Sequence, residues 1–125
     1  MGRSRTTRGR IHHRRAGVQP RLSGLLKHAL DLNLAEYNHK AAGICGVSAG
    51  PFGGTRVIEQ LVNVVRELGL VVTSTDVNFS GVGKLFNDSG ELQDESFVRR
   101  VAAFLDELIW MSRVLKHGRE SIPPV

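Results

Sequence analysis

Apolar residues show no fixed spacing through the first 22 residues, where Arg, Gly, Thr and His dominate. Such a segment cannot bury enough surface to offset its ordering entropy, so residues 1–22 are expected to form a disordered leader. The pattern changes at Ser23. Leu25, Leu26, Ala29, Leu30 and Leu34 recur at helical spacing, with Ser23 at the N-cap position. Residues 41–47, Ala-Ala-Gly-Ile-Cys-Gly-Val, are short, apolar and without alternation. That pattern suits a strand covered on both faces of a parallel sheet. A Gly-rich turn, Ser48 to Gly54, follows at once.

The clearest helix is Thr55–Leu68. Val57, Ile58, Leu61, Val62, Val65 and Leu68 form one apolar stripe, and Arg56, Glu59, Gln60, Asn63, Arg66 and Glu67 lie opposite. Gly69 stands where a C-terminal cap belongs. Leu70–Val77 is short and β-rich, which predicts a second strand. Asn78–Gln93 reads as a long loop with a turn at Asn87-Asp88-Ser89-Gly90. A last helix is expected from about Asp94 to Lys116. Phe97, Val98, Val101, Phe104, Leu105, Leu108, Ile109 and Leu115 would form its apolar face, and Gly118 and Pro123-Pro124 would end it. Trp110 and Met111 read as packing residues.

Strands separated by helices imply a parallel sheet with right-handed crossovers. The strands at 42–47 and 70–76 should be adjacent, with Val57, Leu61 and Leu68 covering one face. Two strands are few for a domain of this class, and the leader offers no third. The strand at Ala42–Val47 would then keep an unpaired apolar edge that recruits another chain, so dimers or aggregates are expected.

Charge adds less than its total suggests. The net charge is +5, but residues 1–22 hold seven Arg and no acid, and the rest of the chain stands at −2. Basicity belongs to the leader and not to a folded face, so nucleic-acid binding is not expected. No apolar run is long enough to span a bilayer, and the leader lacks the apolar stretch of a secretory signal. A cytoplasmic location is the expectation. A single cysteine, Cys45, excludes an internal disulfide framework and a multi-cysteine metal site. The five His show no metal-ligand spacing, and His28 and His39 read as surface positions.

The only constellation with a chemical reading is the Gly-rich turn. Between a strand's carboxyl end and a helix N-terminus, such a segment lets backbone approach a ligand and turns free amides toward electron-rich oxygens. Tight turn geometry alone explains the same glycines equally well. Phe52 either covers a flat ring or tucks into its own domain.

Gly43 to Arg56, followed by an amphipathic helix, resembles the fourth strand and third flavin loop of the NADPH-dependent FMN reductases. The likeness continues through Val82-Gly83-Lys84-Leu85-Phe86-Asn87-Asp88-Ser89-Gly90-Glu91-Leu92 and into Phe104-Leu105-Asp106-Glu107-Leu108. Upstream, Ser23-Gly24-Leu25-Leu26-Lys27-His28-Ala29-Leu30-Asp31 is similar to the family's Pro-Gly-x-Leu-Lys-x-Ala-Leu-Asp helix start. It spans roughly Ser23 to Glu120. The resemblance implies part of a flavodoxin-like three-layer α/β sandwich at 23–120, with a tail at 121–125. It also implies FMN across the carboxyl ends of the sheet and NADPH or NADH as hydride donor. Electrons would pass to FMN, or through it to a quinone-like acceptor. Ser48, Ala49, Gly50, Pro51, Phe52, Gly53 and Gly54 are the implied flavin contacts, with no catalytic side chain and no metal.

Two further flavin loops of the family, a Gly-Ser-x-Arg phosphate loop and a Pro-Glu-Tyr-Asn ring loop, are not recognisable in order. Ala35-Glu36-Tyr37-Asn38-His39 imitates the second, but it follows the Leu-Lys-His-Ala-Leu-Asp helix and leads into the strand at Ala41. It is therefore expected at the amino end of the sheet. Codons for Ile11 to Leu22, shifted by one nucleotide, permit Ser-Ile-Ile-Val-Ala-Pro-Glu-Tyr-Asn-His-Gly-Tyr. That is a strand and ring loop in the right place, so a frameshift near Leu22 is a further expectation, which the DNA sequence would test. With one flavin loop of three, FMN binding is expected to be weak. The alternative function is a non-catalytic remnant or protein-interaction subunit of the same fold.

Overall fold

The computed structural model describes residues 21–123. The expected disordered leader therefore lies outside the described residues, apart from Arg21 and Leu22. The helices are α1 (Gly24–Asp31), α2 (Thr55–Glu67), α3 (Val82–Leu85) and α4 (Ser96–Ser121), with a 3-10 turn at Ala35–Tyr37. The strands are β1 (Ala41–Ala42), β2 (Cys45–Val47), β3 (Val71–Val72) and β4 (Val77–Phe79).

Each expected strand is divided in two. β1 pairs with β3 in parallel, Ala41 opposite Val71 and Ala42 opposite Val72. β2 pairs with β4 in parallel, Cys45 opposite Val77 and Val47 opposite Phe79. Between these pairs the second strand holds two more residues than the first, so Thr73–Asp76 bulges out of the ladder. Hydrogen bonds hold both sides of the bulge, from the Thr73 amide to the Ala42 carbonyl (3.0 Å) and from the Val77 amide to the Ile44 carbonyl (3.3 Å). The expected parallel adjacency is thus present in an interrupted form.

The bulge is fastened to α4. The Ser74 amide, the Ser74 hydroxyl and the Thr75 hydroxyl all donate to the Glu107 carboxylate, at 3.1, 2.6 and 2.7 Å. Donors that favour the charged form hold its pKa below the ordinary glutamate value, the Ser74 hydroxyl having the largest effect. A depressed carboxylate contributes stability above its unfolded-state pKa and loses it as pH falls through the folded value. Glu107→Gln should therefore flatten the acid side of the stability curve, below the ordinary glutamate pKa. Urea midpoints measured across that window check this. An acid limb as steep as that of the unaltered protein would contradict it.

α2 covers one face. Ile58 and Val65 pack with Ile44 in the core, and Leu61, Val62, Leu70 and Val72 border it. Ile58 and Val65, with buried Leu68, seat α2 more deeply than the expected Val57 and Leu61, which are half-buried. Gly69, with φ 82°, caps the helix as expected, next to Asn38. α4 covers the other face through Phe97 and Phe104, both 6% exposed. Gly43 lies directly beneath Phe104 and Leu108. Phe79 stacks on Phe97, centroids 5.4 Å apart, and the Arg100 guanidinium lies 5.0 Å from the Phe97 centroid.

Several expectations are corrected. Asn78 and Phe79 belong to β4 and Val82–Leu85 to α3, so Asn78–Gln93 is not one long loop. The turn within it is present: the Asn87 side-chain oxygen accepts from the Ser89 and Glu91 amides, and Gly90 has φ 79°. α4 begins two residues later than expected, after an Asp94 carboxylate that accepts from the Ser96 amide (2.9 Å). It runs through Gly118 to Ser121, since one helical glycine costs only about 1 kcal/mol. Val98, Leu105, Ile109 and Trp110 are exposed, not packed. α1 forms as expected but buries no residue, and Ser23 makes no side-chain capping bond. No helix among the described residues is long and apolar enough to cross a membrane.

Candidate functional site

β2 and β4 are parallel, so their carboxyl ends lie together. Two segments leave from there, Ser48–Gly54 toward α2 and Ser80-Gly81 toward α3. They are tied to one another. The Ser48 amide donates to the Phe79 carbonyl (3.0 Å), the Val82 amide to the Ser48 carbonyl (3.1 Å) and the Gly81 amide to the Gly50 carbonyl (2.9 Å). The Ser48 hydroxyl also donates to the Gly50 carbonyl (3.0 Å).

Near α2 the loop is fixed by Asn78. Its side-chain amide donates to the Gly53 carbonyl (3.3 Å) and to the Thr55 hydroxyl (3.1 Å). The Thr55 hydroxyl donates in turn to the Phe52 carbonyl (2.6 Å). Gly53 and Gly54 have φ 55° and 78°, a region open to glycine at little cost. A Cβ on Gly53 would stand 2.6 Å from the Asn78 Cβ. These glycines are therefore required by the loop's own geometry.

Gly50 differs, because a Cβ there meets nothing within 4 Å. Phe52 is 77% exposed, so it does not tuck into its own domain. Among the described residues, the amides of Ala49, Gly50, Phe52, Gly53 and Gly54 have no hydrogen-bond acceptor. The seven residues Ser48 to Gly54 thus form one loop at the strand ends, a shelf exposed from Ala49 to Phe52, half-buried at Ser48 and Gly54 and buried at Gly53, with an aromatic ring beside it. Only Ser48 among them carries a polar side chain, and its hydroxyl is used internally. The shelf can bind and orient a ligand rich in acceptors, and it offers no acid or base.

Sequence reasoning missed Asn78 and Gly81. Asn78 stands one residue after the β-rich run, a signal open to an extension of that strand. The Ala35–His39 segment lies where expected. The His39 amide donates to the Gly69 carbonyl (3.0 Å) and the Val71 amide to the Lys40 carbonyl (2.8 Å), at the amino ends of β1 and β3 and the opposite end from the shelf. His28 and His39 are exposed. The Cys45 thiol, exposed on β2, is pushed up by burial and by the Asp76 carboxylate. A crevice of about 540 Å³ is lined by Ile44, α2 and residues 70–76 and does not include the shelf.

No curated protein matches this chain. Residues 20–84 match the family model of the NADPH-dependent FMN reductases, a span that contains both strand pairs, the shelf and α2, and at more than half of its length this chain belongs to that family.

Proposed function

We propose that this chain binds FMN on the Ser48–Gly54 shelf and serves as an NAD(P)H-dependent flavin oxidoreductase. The observation that carries the reading is the row of unpaired amides on a loop at the carboxyl ends of two parallel strands. The residues fit the group. Backbone donors suit the carbonyl oxygens and ring nitrogens of a flavin, Gly50 leaves room for close approach, and Phe52 offers a flat apolar surface. The chemistry FMN supplies when bound is acceptance of hydride from NADPH or NADH and its delivery onward. The protein's part is to hold and orient. Asn78 and Thr55 keep the loop rigid, and the Ser80-Gly81 segment holds its other end. No side chain on the shelf needs to move a proton.

Affinity is expected to be modest. Among the described residues the shelf is one contact set where the family resemblance implies three, and about 4 kcal/mol of contact corresponds to roughly a thousandfold in Kd. Purified protein should carry no stoichiometric FMN. Titration with FMN, followed by quenching of flavin fluorescence, should still saturate. Gly50→Val is the informative variant, because its side chain enters open space. It should leave thermal unfolding unchanged and weaken FMN binding at least about tenfold, equal to roughly 1.4 kcal/mol. An unchanged FMN affinity would remove the shelf from the site. Absence of saturation in the unaltered chain would favour the second reading, an interaction subunit of the same fold, which the exposed apolar flank of α4 supports.

A further inference from the structure

The crevice between α2 and residues 70–76 opens on the β3 flank of α2. The start of the described chain lies elsewhere, since the Leu22 amide donates to the Gln60 side chain (2.9 Å). Helical spacing sets Gln60 on the side of α2 opposite Ile58, Val62 and Arg66, which line the crevice. At about 540 Å³ the crevice has the size of a small-molecule site.

Its floor is apolar and its two ends carry opposite charges. Ile44 and Ile58 lie at the bottom, with the half-buried Leu70 and Val72 beside them. Arg66 stands at one end, where the Leu70 amide donates to the Val65 carbonyl (3.0 Å) and so holds the last turn of α2 against this stretch. Asp76 stands at the other end, beyond the bulge. Val71 lies opposite Ala41, and the Val77 amide donates to the Ile44 carbonyl, so three residues of strand rise, about 10 Å, separate the two ends. Both charged side chains are exposed, and neither makes an ion pair among the described residues. The nearby Glu107 carboxylate is already taken up by three donors of the bulge, which leaves Asp76 as the anion facing outward. The bulge also leaves the Thr75 and Asp76 amides without an acceptor among the described residues.

We propose that this crevice binds a small zwitterion with an apolar middle, of the chemistry of a short apolar peptide. Its carboxylate lies on the Arg66 guanidinium, which suits two parallel N–H···O bonds. Its ammonium lies on the Asp76 carboxylate, and its apolar side chains lie over Ile44 and Ile58. Three residues of extended chain span about 10 Å, so a tripeptide matches the separation of the charges. Its carbonyls can accept from the free amides of the bulge. The two opposite charges also fix the direction of the ligand, because the reversed peptide sets like charges together.

Titration of the full chain with tri-leucine, followed through amide chemical shifts, tests this. Binding should saturate at millimolar concentration, with the largest shifts at Thr75 and Asp76 and none across Ala49–Phe52. Arg66→Gln should weaken binding at least about fivefold, and amidating the peptide's carboxyl group should then cost nothing more. Asp76→Asn should weaken it similarly and remove the effect of acetylating the peptide's amino group. On the unaltered chain the amidated and the acetylated peptides should each bind at least about fivefold more weakly, which tests both ends without any substitution. Absence of saturation, shifts centred on Ala49–Phe52, or blocked peptides that bind as tightly as the free one would each overturn the proposal. The titration contains no flavin, so this reading and the flavin reading fail separately.

Discussion

Ile58→Asp is expected to abolish cooperative unfolding. Ile58 is 3% exposed and packs against Ile44 and Val65 in the core that joins α2 to the sheet. The substitution removes an isoleucine whose full burial is worth about 1.5–3 kcal/mol. It also places a carboxylate against Ile44 and Val65, which costs several kcal/mol more or forces the group to take up a proton. A total of about 4 kcal/mol or more compares with a stability of roughly 5–15 kcal/mol for an ordinary domain, and this core is small. Urea unfolding followed by circular dichroism should show a broad, early transition or none. The half-buried Leu61 should tolerate Asp better than Ile58 does. An unchanged midpoint for Ile58→Asp would show that α2 does not seat as described.

The second large effect is expected at Gly53. A valine there must adopt φ near 55°, which a β-branched residue rarely does, at a strain of roughly 1–3 kcal/mol. Its Cβ would also press on the Asn78 Cβ, and Asn78 is the residue that ties the loop to Thr55. Gly53→Val should therefore lower Tm and weaken FMN binding together, whereas Gly50→Val should affect FMN alone. Parallel melts and FMN titrations of the two variants check this. A Gly53→Val protein with an unaltered melt would mean that the loop can re-form without its left-handed residue.

Much of this arrangement was legible in the residues because it is local. The stripe from Val57 to Leu68 names its own helix, and Gly69 its end. The run Ala41–Val47 and the turn after it follow from composition and spacing. What could not be read depends on the partner strand. The division of each strand comes from two extra residues opposite Gly43-Ile44, and no single-strand pattern contains a register. Asn78 acts across the sheet on Gly53, at a separation of 25 residues, so its role is invisible to periodicity. The exposure of Val98, Leu105 and Ile109 was missed for a related reason. Helical spacing groups apolar residues into a broad face, but the strand pair beneath α4 is narrow and covers only the part around Phe97, Phe104 and Leu108. At the shelf, the sequence left ligand approach and tight turn geometry as equal explanations of the glycines; Gly53 and Gly54 answer to backbone conformation, whereas Gly50 stands open.

The bulge at Thr73–Asp76 also makes this stretch a length gauge. Removing one residue would turn every side chain of β4 to the opposite face, sending Val77 outward and Asn78 away from the loop it holds. Removing two would restore the parity but take away the Ser74 and Thr75 groups that grip Glu107. The segment should accept many changes of composition and no change of length. Insertions and deletions in related chains should instead collect at the exposed Asn87–Gly90 turn, whose flanks are held together by the Phe86–Leu92 bridge.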